Sequence, residues 1–360
     1  TMENLAVNKN FWYGKKVLIT GHTGFKGSWL SLWLQNMGAN IIGVSLDPPT
    51  EPSLYKQANI AKGIKDIRED INDIKAIKYI FQQNKPEVVF HLAAQSLVRR
   101  SYLDPIETYK TNVMGSLHIL EGVRSIDTVR AVIMITTDKC YENREWEWGY
   151  RENDPMGGFD PYSSSKGSAE LLIASYRSSY YPESLFKEHK TAIVSVRAGN
   201  VIGGGDWAED RLVPDIIRAF QENDTVKIRN PDAIRPWQHV LEPLSGYIKI
   251  AELLINDGVE YSGAWNFGPN NEDARPVRWI VEKMAKEWGN DPKWIIDENN
   301  FFHEANYLKL DCSKAYSKLN WRPKWNLEQA LLKIIEWHKL ERKGKNCNEI
   351  CLSQIREYKA

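Results

Sequence analysis

An excess of charge of either sign is missing from this 360-residue chain, in which 47 lysines and arginines balance 47 aspartates and glutamates. That balance provides no basic footprint for nucleic acid and no polybasic patch for an anionic membrane surface. Long hydrophobic runs are missing too, since none approaches the ~20 apolar residues that cross a bilayer. No signal-peptide pattern precedes the first apolar run, and the polar stretch Thr1–Asn10 reads as a flexible leader. Cysteine is scarce: four residues are too few for a disulfide framework at this length. Cys347 and Cys351 have a spacing that suits a metal, yet no second Cys or His pair stands nearby, so no metal site is expected. A reducing cytoplasm is the setting these absences imply.

What the chain does have is glycine in one telling place. Val17-Leu18-Ile19-Thr20 runs into Gly21-His22-Thr23-Gly24-Phe25-Lys26-Gly27, and helical spacing then holds from Ser28 to Gln35 until Gly38 stops it. Strand, tight turn and helix N-terminus together make an anion site. Glycines let the backbone approach a pyrophosphate, and the first unpaired N–H groups of the helix point at it.

The length suggests about two domains. Apolar runs at Ile41–Leu46, Glu87–Leu92, Ala131–Thr136 and Thr191–Arg197 alternate with helical patterns. Asn72 or Asp73 caps a helix through Asn84, Asp104-Pro105 opens one through Arg124, and Pro161–Tyr181 is a third. The alternation predicts an α/β fold: a doubly wound Rossmann-type parallel sheet with helices on both faces. Ligands then belong beyond the carboxyl ends of the strands. After Gly199 the pattern changes to a loop over 200–207, helices at Leu212–Gln221, Leu241–Ile255, Val277–Trp288 and Leu327–Arg342, and a short strand at Trp265–Gly268. This half reads as a smaller C-terminal α/β lobe closing over the sheet, and the tail Cys347–Ala360 carries no readable signal.

Two constellations bear chemistry. Tyr162 and Lys166 stand four apart in a helical stretch, so phenol and ammonium share one face. A nearby cation favours phenolate and makes tyrosine a base for a hydroxyl. An exposed helical pair has the same spacing. The second is Thr136-Thr137-Asp138-Lys139 at the end of an apolar strand, where hydroxyl, acid and amine would meet a ligand. Thr and Asp also cap strand ends by bonding turn backbones, but the glycine turn would border the same cleft.

The glycine turn, His91-Leu92-Ala93-Ala94-Gln95-Ser96, Asn112 in Lys-Thr-Asn-Val-Met-Gly-Ser and Tyr162-x-x-x-Lys166 occur in the order of the extended short-chain dehydrogenase/reductase family, which this chain resembles over nearly its whole length. Thr137-Asp138 resembles that family's nucleotide-sugar 4,6-dehydratases, which have glutamate where this chain has Lys139. The segments 197–207 and 235–240 are similar to the branch acting on cytidine-linked sugar.

The resemblance implies an internal redox elimination on CDP-D-glucose with NAD as a bound cofactor. Tyr162 would take the 4-hydroxyl proton, Lys166 would hold the nicotinamide ribose and keep Tyr162 acidic, and Thr137 would bond the 4-oxygen. Asp138 would protonate the departing 6-hydroxyl, and Lys139 would be the carbon-5 base if neutral, or, if it stays charged, would stabilise the enolate while another group or water takes the proton. NAD would contact Gly21, Thr23, Gly24, Phe25, Lys26, Gly27, Ser45, Asp70, Ile71, Leu92, Ala93, Ala94, Asn112 and Thr136, besides Tyr162 and Lys166. Gln95, Ser96, Arg99, Asn200, Arg211 and Arg235 would grip the sugar nucleotide, although an arginine also suits a surface salt bridge. Relatives end the second strand with an acid for the adenosine ribose; here Ser45 stands nearest and Asp47 follows two residues on.

Residues 1–198 with about 235–262 would form the NAD-binding domain, and 199–234 with 263–360 the sugar-nucleotide lobe. By the same resemblance the protein would be a homo-oligomer, dimer or tetramer, paired through Asp104–Arg124 and Pro161–Tyr181. Its product would feed deoxysugar synthesis for O-antigen. Alternatives are dTDP- or GDP-hexose dehydration, a nucleotide-sugar 4-epimerase, which needs no acid at Asp138, and a dinucleotide sensor, which would not keep the Tyr–Lys pair.

Overall fold

The structure is a computed structural model and describes residues 9–289, 293–296 and 307–360. The leader reading for Thr1–Asn10 lies outside it up to residue 8. Seven short strands form one sheet: β1 (Lys16–Thr20), β2 (Asn40–Ser45), β3 (Lys65–Arg68), β4 (Val88–His91), β5 (Ala131–Ile135), β6 (Ala192–Ala198) and β7 (Gly263–Phe267). Their order is β7-β6-β5-β4-β1-β2-β3, and every pairing is parallel. The central strands are buried along their length, as a sheet covered on both faces requires. Strand order reverses between β1 and β4, where Thr20 lies opposite His91, so the ligand crevice of a doubly wound sheet opens above this pair.

Among the described residues, nine α-helices have ten residues or more: α1 (Phe25–Asn36), α2 (Ile74–Asn84), α3 (Gly115–Arg124), α4 (Pro161–Tyr180), α5 (Leu212–Glu222), α6 (Leu241–Asp257), α7 (Val277–Trp288), α8 (Leu327–Arg342) and α9 (Cys347–Lys359). Asp73 caps α2 by accepting from the backbones of Lys75 at 2.9 Å and Ala76 at 3.0 Å. Asp160 does the same for α4 at Ser163, with Pro161 in the first turn where no N–H is needed. α5, α7 and α8 enclose a second apolar core through Ile216, Phe220, Ile280, Met284, Leu331 and Ile334.

Four features differ from the sequence reading. The helix expected over Asp104–Arg124 is present and continuous from Pro105, but its winding widens to π over Lys110–Met114, between α-helical Pro105–Tyr109 and α3. Strand β3 was not anticipated, because Lys-Asp-Ile-Arg at a sheet edge has no apolar alternation. Residues 263–267, assigned by sequence to the second lobe, are the other edge of the large sheet. The loop expected over 200–207 begins with a strand, Asn200–Ile202, paired to Trp237–His239.

The tail is not featureless either. Asn346 caps α9, and Cys347, Ile350, Cys351, Ile355 and Tyr358 join the main core. The reason lies in α1, whose Trp29, Leu30, Leu32, Trp33 and Leu34 are buried all round the helix. An apolar stripe that wide needs cover on its outer side as well as the sheet beneath, and α9 packs there.

Candidate active site

The crevice is floored by the turn after β1. Gly21 holds φ at +75°, and a Cβ there would sit 2.7 Å from the backbone nitrogen of Ala93. A Cβ on Gly27 would meet the Gly21 carbonyl at 2.0 Å, so this glycine lets α1 close onto the turn. At Gly24 a Cβ would meet only that carbonyl, at 3.4 Å, which leaves the backbone bare toward the crevice. Thr23 and Ser45 exchange a hydroxyl hydrogen bond of 2.8 Å at the ends of β1 and β2. Asp47 points into solvent with its side chain 92 % exposed, 3.8 Å from Arg68. Asp70 spends a carboxylate oxygen on the Asn72 backbone at 2.9 Å, and the Ile71 side chain is in the core. Leu92 and Ala93 are tied to β1 through the Thr20 carbonyl and hydroxyl.

The π-turn explains itself here. Its wider winding lets buried Asn112 accept from the Gln95 nitrogen and donate to the Gln95 carbonyl and the Ser165 hydroxyl, each at 2.9 Å. The segment after β4 is thereby tied to α4.

Thr137 and Asp138 leave β5 directly beneath the face of α4 that carries Tyr162 and Lys166, and all four side chains are buried. The Thr137 hydroxyl donates to Asp138 Oδ1 at 3.0 Å and lies near enough to the Tyr162 phenol to lower its pKa. Lys166 Nζ donates to the Ile135 carbonyl at 3.3 Å. Asp138 is 1 % exposed, and its Oδ2 has no hydrogen-bond partner among the described residues. Burial raises its pKa above the usual carboxylate range, although Lys139, Thr137 and Arg235 pull the other way. Lys139 is half-buried, and its backbone nitrogen donates to the Thr137 hydroxyl at 3.4 Å.

One expectation is corrected. Tyr162 was expected to be acidified by its neighbouring cation, yet burial pushes its pKa up to about 12, outweighing the Thr137 hydroxyl and the Arg211 charge. Burial also lowers Lys166 to about 8.

On the second-lobe side, Arg235 is buried, donates to the Ile234 carbonyl at 3.3 Å and lies in the field of Asp138. Arg211 bonds Asp206 at 3.1 Å and the Ser96 hydroxyl at 2.9 Å, while Arg99 pairs with Asp210 at 2.6 Å. Asn200 is half-buried in its short strand. Gln95 has its amide occupied by Thr108 and by the Leu97 backbone, which makes it a brace of its own loop.

Two residues matter more than their sequence context showed. The Lys26 ammonium shares the crevice with Lys166, Arg211, Asp138 and Asp206, and burial with the two cations brings its pKa to about 8. His22, fully buried, reaches over Gly43 to bond Asp66 at 2.8 Å; a Cβ on Gly43 would fall 2.5 Å from its ring. Neither contact could be read locally, because each joins segments far apart in the chain. Among the described residues no group of three or more His, Cys, Asp or Glu is placed to hold a metal, and all four cysteines are free and buried. No helix of the described residues is long and apolar enough to cross a membrane.

The family model of GDP-mannose 4,6 dehydratase matches residues 18–334. The chain is 54 % identical to CDP-glucose 4,6-dehydratase of Salmonella typhimurium over 98 % of both chains. It is 25 % identical to dTDP-glucose 4,6-dehydratase of Haemophilus influenzae, over 89 % of this chain and 97 % of the other. Among solved structures, dTDP-glucose 4,6-dehydratase from Bacillus anthracis in complex with NAD superposes with a TM-score of 0.74 at 20 % identity, covering 92 % and 98 % of the two chains. UDP-glucose 4-epimerase from Thermotoga maritima with UDP-glucose gives 0.75 at 22 % identity, covering 91 % and 99 %. Those two structural likenesses carry the fold alone.

Proposed function

The chain belongs to the GDP-mannose 4,6 dehydratase family, and on that premise we propose that it converts CDP-D-glucose to CDP-4-keto-6-deoxy-D-glucose and water. The observation that carries the proposal is the 54 % identity, end to end, to a CDP-glucose 4,6-dehydratase. The chain is an NAD-dependent hydro-lyase. Bound NAD would supply the redox chemistry, as the acceptor of the carbon-4 hydride and the source of the hydride delivered to carbon 6. The residues fit it: Gly24 leaves the turn's backbone open, and Lys26, Lys166 and Arg211 lend positive charge to the crevice.

The chain's own residues move the protons. Tyr162, through its contact with Thr137, receives the 4-hydroxyl proton, and Thr137 holds the 4-oxygen. Tyr162 can take that proton only as the phenolate; burial opposes that form, holding the phenol at about 12, and the Lys166 ammonium one turn away would have to favour it. With carbon 4 a ketone, the carbon-5 proton becomes acidic. Asp138, whose pKa burial raises, would give its proton to the departing 6-hydroxyl through Oδ2, the atom with no hydrogen-bond partner among the described residues. A 4-epimerase has no use for such an acid, which disfavours that reading. Lys139 in its neutral form takes the carbon-5 proton. Arg235 and Arg211 hold the pyrophosphate, with Asn200, Ser96 and Arg99 along the rim.

The enzyme acts in the cytoplasm as a homo-oligomer. Leu103, Ile106, Phe159 and Leu171, on or beside the packed helices Pro105–Tyr109 and α4, are large apolar side chains left exposed, as a subunit interface would require. Its product supplies deoxysugar synthesis for O-antigen.

The test is an end-point assay with CDP-, dTDP-, UDP- and GDP-linked hexoses, with and without added NAD, read by the alkaline absorbance of a 4-keto-6-deoxy sugar. Signal with CDP-glucose is expected. Signal with another nucleotide alone would overturn the substrate, and silence throughout would overturn dehydration.

A further inference from the structure

Glu170 and Arg197 take no part in the proton transfers above, yet both are 4 % exposed directly under the site. Glu170 follows Lys166 by four residues and Tyr162 by eight, so it continues the same face of α4 inward. Its carboxylate accepts from Arg197 Nε at 2.9 Å and Nη2 at 2.8 Å, a forked pair, and from the Ser195 hydroxyl at 2.7 Å. It also accepts from the Thr136 hydroxyl. Arg197, at the carboxyl end of β6, turns its remaining nitrogen, Nη1, outward to the Tyr141 phenol at 2.7 Å and the Glu152 carbonyl at 2.9 Å. The Tyr141 hydroxyl then donates to Asn266 Oδ1 on β7 at 2.8 Å.

These bonds fall on a particular stretch of chain. Thr136 and Tyr141 are the two ends of the six-residue segment that holds Thr137, Asp138 and Lys139. Between them the segment bonds to itself through the Thr137 hydroxyl and a short helical turn at Asp138–Cys140, and outward through the Cys140 carbonyl, which accepts from the Gly157 backbone at 2.8 Å. One ion pair therefore grips both ends, Thr136 through Glu170 and Tyr141 through Arg197, and its acid member stands on the helix that bears Tyr162 and Lys166.

We propose that Glu170 and Arg197 are positioning residues, a buried clamp that sets the hydroxyl and acid of segment 136–141 against the Tyr162–Lys166 face of α4. The inference rests on the dehydration reading for its kinetic consequence, not for its geometry. Stability alone is a weak reason for such a pair, because a buried ion pair is often no better than apolar side chains of similar volume. Register is a better one: groups that must act together tolerate little displacement, and a misplacement of about 1 Å can cost a hundredfold in rate. Arg197 also keeps Glu170 ionised against burial, and the ionised Glu170 favours the protonated form of Lys166 one turn away.

Tyr141→Phe tests the clamp with least damage. It removes one hydroxyl and strands no charge, while the ring keeps its stack on Tyr150 and its place under the Arg197 guanidinium. Amide hydrogen exchange is expected to speed up at residues 137–141 and nowhere else in the sheet. With CDP-glucose, kcat is expected to fall about tenfold with KM within about twofold and the unfolding midpoint unchanged. Glu170→Gln, where it folds, is expected to lower kcat further and to move the alkaline limb of the pH profile to lower pH, since Lys166 loses its anionic neighbour. Tyr141→Phe should leave that limb where it is.

Unchanged exchange at 137–141 would overturn the clamp, as would wild-type kcat in Tyr141→Phe. A fall in kcat matched by a fall in thermal stability would reduce the pair to a structural role and equally overturn it. Wild-type protein inactive on CDP-glucose would overturn the dehydration reading instead, and the exchange measurement would still decide the clamp.

Discussion

Lys139 occupies the place at which the resembling dehydratases carry a glutamate, and only a neutral amine there can accept a proton. Lys139→Met is expected to abolish solvent-deuterium exchange at carbon 5 while carbon-4 oxidation persists; exchange that survives would assign the base elsewhere. Far from the crevice, Glu252 makes a different prediction. It accepts from the Trp12 indole at 2.6 Å, and burial pushes its pKa up to about 7. A raised acid pKa means that the folded state holds its proton longer than the unfolded state. That contribution is whole below the ordinary glutamate range and is lost as pH rises through about 7. Glu252→Gln keeps the indole bond and has no proton to lose, so it should exceed wild type in stability at pH 8 by on the order of 1–2 kcal/mol. The two should converge at pH 4 in urea titrations. Tyr162, Lys166, Thr137 and Asp138 were legible as a group because each pair lies within one short segment whose spacing determines what it can face. The convergence of Lys26 and Arg235 on Asp138 was not, because it depends on how three distant segments cross.

Among the elements, the turn after β1 separates two kinds of glycine. Gly27→Ala would drive a Cβ into a backbone carbonyl and should cost on the order of 3 kcal/mol of stability. Gly24, at φ −77° and ψ 172°, adopts a conformation open to any residue, so Gly24→Ala should unfold within about 0.5 kcal/mol of wild type. Its methyl would nevertheless stand toward the crevice, and NAD affinity should drop at least about tenfold. Urea unfolding and an NAD titration of both variants check the pair, and equal affinity in Gly24→Ala and wild type would refute the assignment. Elements marked by apolar period were readable almost to the residue, as β1, α7 and α8 were. Those without a local signal were missed: β3 is polar, and the π-turn arises from Asn112 reaching another segment. The tail helix had a legible cause in the wrong place, since the all-round apolar surface of α1 is what demands it.

At the scale of the whole molecule, the apolar side chains left bare on Pro105–Tyr109 and α4 make the assembly testable. Ile106 is 79 % and Leu171 64 % exposed, on helices that pack against each other. Light scattering is expected to show wild type as at least a dimer and Ile106→Arg/Leu171→Arg as a monomer of unchanged fold; a monomeric wild type would refute the interface.

The cover that α9 lays over α1 also has a consequence in time. The two helices are joined by roughly three hundred residues of intervening chain, and a ribosome adds ~5–20 residues per second. The outer face of α1, with its tryptophans, therefore emerges about 15–60 s before the helix that shields it exists. For that interval the nascent nucleotide-binding half displays a greasy stripe with nothing of its own to lay on it. A holding chaperone would find its target there, and a messenger cut short before residue 347 would yield a protein that never leaves that state.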